Sequence, residues 1–139
     1  MKGKQGFQPG NYRGQQVRPE LLVRHQYLWF FKFAYGRRAK RKNIEITLTE
    51  DEFIELVTSN CHYCGKDWKT ETRRVNKVSV NMLTIDRKDS KLGYHKSNCV
   101  SCCKQCNTIK MDMPYEQFIS HIKTIIEHLQ RSLDRQTII

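Results

Sequence analysis

The sequence predicts a small α+β fold, in which short strands and helices surround a cysteine-rich core and further helices flank it at both ends. Three observations favour this class: short stretches that alternate apolar and polar residues, longer stretches with apolar residues at helical spacing, and paired CxxC motifs. A chain of 139 residues suits one domain with a modest core.

The N-terminal third is predicted to hold a flexible arm followed by a helix. Residues 1–17 are rich in Gly, Gln, Lys and Arg and show no periodicity, which is typical of a mobile segment. After Pro19, one helical stripe carries apolar side chains as far as the basic run GRRAKRK; its members are Val23, Tyr27, Phe30, Phe31 and Ala34.

A strand and a second helix are predicted next. Residues 44–49 alternate Ile and Leu with Glu and Thr, which indicates a half-buried strand. Thr49 and Glu52 form a capping-box pattern, and the helix that follows should bury Phe53, Leu56 and Val57. Residues 66–80 are polar without a clear period, so we expect a loop that contacts a ligand.

Two short strands and two helices are predicted for the remainder. Leu83 and Ile85 should face the core while Thr84 and Asp86 face away from it. The run CVS can pair back as a second strand, and CKQCNTIKMD begins a helix. Pro114 opens the last helix, whose apolar stripe is expected to face the core; its members are Phe118, Ile122, Ile125 and Leu129.

Positive charge is concentrated near the N-terminus. The net charge is +11, from 25 Lys and Arg against 14 Asp and Glu. Residues 1–42 hold 11 of the bases and a single acid, Glu20, so the other 97 residues hold 14 bases and 13 acids. This asymmetry predicts a nucleic-acid partner; a solubilising tail or a segment lying on an anionic membrane are the alternatives. The candidate contacts are Arg37, Arg38, Lys40, Arg41, Lys42, Arg73, Arg74 and Lys110.

The cysteines indicate a structural zinc site. No apolar run is long enough to span a bilayer and no secretory signal is visible, so we expect a cytoplasmic protein whose six cysteines stay reduced. Four thiolates from two CxxC turns suit tetrahedral zinc. Cys61 and Cys64 form one pair. The other is Cys99 with Cys102 or Cys103 with Cys106, and the second is preferred because the Asn that follows it is then placed by the metal.

Read together, CxxC, IDRxDS, GYxxxN and CCxxCNxxK resemble the HNH endonuclease superfamily, in particular zinc-braced members from phages and mobile elements. The resemblance covers roughly residues 37–122. It implies a ββα-metal core in which two strands and a helix clasp one divalent cation. It also implies a phage or mobile-element origin in a bacterial host. Together with the composition and periodicity described above, it divides the chain into a flexible basic arm (1–17), a basic and aromatic helix (18–43), a zinc-braced HNH-like nuclease domain (44–131) and a C-terminal tail (132–139).

The resemblance also implies roles for individual residues. Asp86 and Asn107 match the ligands of the catalytic cation, for which magnesium or manganese suits oxygen donors. Asn98 matches the Asn that ties the loop between the strands. The implied reaction is metal-dependent hydrolysis of a phosphodiester, with DNA preferred over RNA as the substrate.

One position departs from the family pattern. The His that usually follows the metal-binding acid, and acts as general base, is replaced by Arg87, which cannot accept a proton. From spacing, Asp89 is the base candidate, with His95 as a weaker one, and Arg87 is expected to hold the scissile phosphate. The alternative function is a non-catalytic zinc-containing module with a degenerate HNH site that binds nucleic acid or serves as a structural subunit.

Overall fold

The structure, a computed structural model, describes residues 19–136. The predicted arm at 1–17 lies outside this range. Within these residues, five α-helices and four strands follow one another: α1 Pro19–Phe30, α2 Arg37–Lys42, α3 Glu50–Val57, β1 Thr72–Val75, β2 Val78–Asn81, β3 Thr84–Arg87, β4 Cys99–Cys102, α4 Lys104–Lys110 and α5 Tyr115–Gln136. Short 3₁₀ turns occupy Trp68–Thr70 and Lys96–Asn98. The α+β class predicted from the sequence is confirmed.

Helices α1 and α2 are joined by a π-helical segment, Phe31–Gly36, which attaches the N-terminal helices to the core. Its wider turn aligns aromatic rings with α3: Phe31 stacks on Phe53 with centroids 4.4 Å apart, and Tyr35 meets the same ring edge-on at 5.3 Å. The Tyr35 oxygen accepts a hydrogen bond from the Ile85 amide at 3.0 Å. The helical prediction for 18–43 therefore holds over the described residues, although Val23 at the start of its stripe is exposed.

The segment at 44–49 is extended but forms no strand ladder, so that strand prediction is wrong. A single parallel bridge joins Ile46 to Tyr94, through Tyr94 N to Glu45 O at 2.8 Å and Thr47 N to Tyr94 O at 3.1 Å. The side chains still alternate, with Leu48 buried and Thr47 exposed, because extended backbone turns successive residues to opposite sides. The capping box of α3 is confirmed by reciprocal bonds between Thr49 and Glu52.

Residues 72–81 form a hairpin where a loop was predicted. Its two-residue turn, Asn76 and Lys77, has φ of 49° and 66°, the left-handed conformation that matches the twist of paired strands. Val75 pairs with Val78 across the turn, and Val80 lies on the same buried face. The alternation of Val75, Val78 and Val80 around an Asn was the overlooked signal, because the charged outer face masked it.

The second hairpin and α4 form the ββα unit that the resemblance implies. Strands β3 and β4 are antiparallel, with Thr84 opposite Cys102 and Arg87 opposite Cys99. Helix α4 follows β4 directly and packs against β3. The long connection from β3 to β4 folds back so that its Tyr94 reaches the edge of the aromatic core, where it meets Tyr35 at 5.5 Å.

Helix α5 buries only its first turns against this core. Phe118 is buried and packs edge-on against Tyr63 at 5.1 Å, whereas the later members of the predicted stripe, Ile125 and Leu129, are exposed. The core-facing prediction is thus wrong beyond Ile122. The helix also continues to Gln136, through the first residues of the segment assigned to a tail. Within residues 19–136, no helix combines the length and hydropathy needed to cross a bilayer.

Candidate metal centre and nucleic-acid groove

Four cysteines converge where the turn after α3 meets the start of α4. The sulfur atoms of Cys61, Cys64, Cys103 and Cys106 all lie within 4.8 Å of one another. The Sγ atoms of Cys64 and Cys103 are 3.7 Å apart, close to the edge of about 3.8 Å expected for a tetrahedron with zinc–sulfur bonds of about 2.3 Å. The donor set and its geometry therefore fit a structural zinc ion, and the four clustered sulfurs are those of the preferred cysteine pairing.

The pKa values of these thiols depend on their burial and on their neighbours in the cluster. Burial opposes ionisation of Cys61, but backbone N–H groups of Cys103, Cys64 and Tyr63 that point at its sulfur lower its pKa to about 7. Burial and the neighbouring thiols raise the pKa of Cys106 far above its ordinary value, since crowded thiolates repel one another. Four thiolates can therefore share this site only with a compensating positive ion.

The other CxxC, Cys99 with Cys102, is excluded from the site by its secondary structure. Both residues lie in β4, and side chains three apart on a strand point to opposite faces. Both are buried, and burial raises the pKa of Cys99 to about 12. These two thiols thus serve as small apolar side chains, as expected.

Asp86 lies at the interface of β3, α4 and the cysteine turn, and it is buried rather than turned to solvent. Its carboxylate faces the Lys110 ammonium, with Nζ 3.3 Å from Oδ1 and 3.2 Å from Oδ2. Tyr63 donates its hydroxyl to Oδ2 at 2.6 Å. Burial, and then the bond to Asp86, raises the pKa of Tyr63 well above its usual value, so the phenol remains a donor. The sequence reasoning missed both partners, because neither lies near Asp86 along the chain.

Lys110 was expected at a nucleic-acid surface, but the structure places it in the interior. Its side chain is 0% exposed, and Nζ also donates to the Arg87 carbonyl at 3.2 Å. A buried ammonium needs such partners, because an unpaired one would carry a large desolvation cost. The Lys of CCxxCNxxK thus holds α4 against β3.

The loop between β3 and β4 is tied by two side chains. Asn98 exchanges hydrogen bonds with the backbone of Asp89 at 3.0 Å in both directions and donates to the Gly93 carbonyl at 2.9 Å, which is the tie that the resemblance implies. Arg87 donates through one nitrogen to the carbonyls of Ser90 and Leu92, each at 2.8 Å. Its guanidinium is therefore engaged with the loop, and its role in holding phosphate stays a prediction.

The candidate bases are likewise engaged. Asp89 accepts the Lys91 amide through Oδ1 at 2.8 Å. His95 bonds to Thr47 through Nδ1 at 2.7 Å and has Glu45 at 3.5 Å from Nε2. Neither residue is brought to Asp86 by a contact in the described part of the chain, and the identity of a base stays a prediction.

Asn107 differs from Asp86, Asn98 and Lys110 because its side chain forms no hydrogen bond with another described residue. The residue is half-exposed, and its side-chain amide makes no hydrogen bond within residues 19–136; only its backbone groups are bonded. It lines a groove of about 840 Å³ between the first hairpin and α4. The groove walls carry mostly hydroxyl, amide and cationic side chains: Lys66, Glu71, Thr72, Arg73, Thr84, Lys104, Gln105, Asn107, Thr108 and Ile109.

The remaining basic candidates divide between two surfaces. All five cations of α2 are exposed, namely Arg37, Arg38, Lys40, Arg41 and Lys42. Arg73 and Arg74 are adjacent on β1, but Arg73 lines the groove whereas Arg74 is exposed and is not part of it.

Comparisons with known proteins give two similarities. No family model matches the chain. Over 96 residues, which are 69% of this chain and 16% of the relative, it is 36% identical to "Uncharacterized protein R423" of Acanthamoeba polyphaga mimivirus. The chain thus spans about one sixth of that relative's length. Among solved structures, it is similar to the rare-cutting HNH restriction endonuclease PacI, with a TM-score of 0.47 and 17% identity over 95% of this chain and 92% of that one.

Proposed function

We propose that this protein is a metal-dependent endonuclease of the HNH type that hydrolyses phosphodiester bonds in DNA. The observation that carries the proposal is the cysteine-braced ββα unit, in which the one motif amide without a structural task, Asn107, faces a basic groove. A polar side chain left unpaired at a groove wall is available to a ligand. The cationic surface of α2 would add contacts to the nucleic-acid backbone.

The donor types are suited to a hard cation. A carboxylate on β3, Asp86, and an amide oxygen on α4, Asn107, are the ligands that magnesium or manganese accepts in proteins. Such a cation, when bound, would polarise the phosphate and stabilise the leaving oxygen. The Lys110 ammonium contacts both Asp86 oxygens. On metal binding it would have to move away from the carboxylate or share it with the cation. In this proposal Asp89 is the candidate that removes a proton from water.

The test is cleavage of supercoiled plasmid by the purified protein with zinc retained and magnesium or manganese added. Asn107→Ala is the sharper variant, because the side chain it removes makes no internal hydrogen bond. We expect it to abolish nicking without lowering the melting temperature. Gln130→Ala, an exposed amide on α5 outside the groove, is the control and should cut as wild type does. Full activity of Asn107→Ala would contradict the assignment.

One observation favours the second function, a non-catalytic nucleic-acid-binding module. The buried pair of Lys110 and Asp86 satisfies the carboxylate without any metal ion, which is the arrangement expected if that site is structural. The plasmid would then stay supercoiled with the wild-type protein in either magnesium or manganese, while a gel-shift assay would still show DNA binding. That pair of results would support the binding module and reject the nuclease proposal.

A further inference from the structure

The groove between the first hairpin and α4 carries a net positive charge that is built into its walls. Three cations line it, Lys66, Arg73 and Lys104, against one carboxylate, Glu71. The Glu71 carboxylate already has two partners within the protein. Its Oε1 is 3.4 Å from the Lys66 ammonium and accepts the Lys104 amide at 3.0 Å. Glu71 therefore positions the rim of the groove and is not left to repel an anion.

Arg73 lines this groove with a guanidinium that makes no hydrogen bond or ion pair within residues 19–136. Its Nε is buried without a hydrogen-bond partner, and no carboxylate within residues 19–136 forms an ion pair with it. Its guanidinium lies over the Phe30 ring at 5.7 Å, a contact that orients the planar group. The buried Nε is out of reach of a ligand, but the two terminal Nη groups make no hydrogen bond within residues 19–136 and are suited to bidentate contact with phosphate.

We infer that this groove binds the phosphodiester backbone of one nucleic-acid strand and that Arg73 is its principal phosphate contact. The inference rests on the proposed function, to which it adds the path of the substrate past Asn107. The hydroxyls of Thr72 and Thr84 already donate to Asn81 Oδ1 and to the Cys102 carbonyl. The side-chain amides of Gln105 and Asn107 line the groove beside its cations, and phosphate oxygens accept bonds from such amides.

Neighbouring residues provide a matched pair of variants. Arg73→Gln and Arg74→Gln remove the same charge from adjacent positions of β1, but only Arg73 lines the groove. Binding of a fluorescent DNA duplex is measured by anisotropy at several salt concentrations, in buffer with zinc and without magnesium or manganese. The measurement is thereby independent of cleavage, so loss of the nuclease proposal would leave this result standing.

We expect Arg73→Gln to bind about tenfold more weakly and to flatten the log–log salt dependence by roughly 0.9, the value for one phosphate contact. Arg73→Lys should recover part of the affinity, and Arg74→Gln should stay close to wild type. If Arg73→Gln is unfolded by circular dichroism, Lys104→Gln, exposed at the groove rim, replaces it. Equal effects of Arg73→Gln and Arg74→Gln, or no effect of either, would overturn the inference. So would displacement of the DNA by polyglutamate as readily as by unlabelled DNA, which would indicate an acidic polypeptide as the partner.

Discussion

Replacement of Asp86 by Asn should destabilise the protein strongly, because it leaves the Lys110 ammonium buried without its counter-charge. The lysine side chain is 0% exposed and the aspartate side chain 5%, so solvent cannot take over the lost interaction. Removal of one partner from such a buried pair costs about 3–5 kcal/mol. That is a large share of the roughly 5–15 kcal/mol by which native domains are stable.

Urea denaturation followed by circular dichroism, with zinc present, measures this effect. For a slope of about 1–3 kcal/mol per molar urea, a loss of about 3–5 kcal/mol should lower the midpoint by roughly 1–5 M. Asp51→Asn is the matched control, since Asp51 also pairs with a base, Arg24 at 2.8 Å, but with side chains 83% and 44% exposed. Exposed pairs contribute little, and this control should unfold close to the wild-type midpoint.

The double variant Asp86→Asn with Lys110→Met separates loss of a pair from loss of a charge. It should recover at least half of the lost stability, because no buried ion remains unpaired. A midpoint for Asp86→Asn equal to that of Asp51→Asn would refute the reasoning, as would a double variant whose loss is the sum of the two single losses. The same result bears on nuclease assays: inactivity of an Asp86 variant is evidence for metal binding only if that variant is folded.

Two further predictions concern the zinc site and the GYxxxN run. A strong chelator should unfold the protein, and added zinc should restore the fold. Zinc release should become easier as the pH falls, because protons compete with zinc for the four thiolates. A circular dichroism spectrum that chelation leaves unchanged would exclude a structural metal. Gly93→Ala should destabilise by about 1–3 kcal/mol, because its Cβ would lie 2.4 Å from the Glu45 carbonyl oxygen. Gly36→Ala, where the nearest atom is 3.7 Å away, should be tolerated in the same thermal melts, and similar melting temperatures for the two variants would contradict this account.

Local patterns were read correctly where the responsible interactions are local. The capping box of α3 lies within four residues, and the start of α4 follows from its own sequence and from the strand before it. The two cysteine pairs could be predicted because a CxxC turn brings two sulfurs together within one turn of chain. The hairpin at 72–81 was also a local feature. It was missed because its charged outer face masks the alternating valines, and because a two-residue turn without Gly gives a weak signal.

Whether a side chain is buried, and what it meets there, was decided only by the tertiary structure. The sequence by itself determined the α+β class, the four cysteines and the motif residues worth inspecting. It could not show that Asp86 would be paired with Lys110 and Tyr63, that Arg73 and not Arg74 would line a groove, or that Ile125 and Leu129 would remain exposed. Periodicity specifies which face of an element a residue occupies, but the neighbour that covers that face comes from a distant part of the chain and is fixed only when the elements pack.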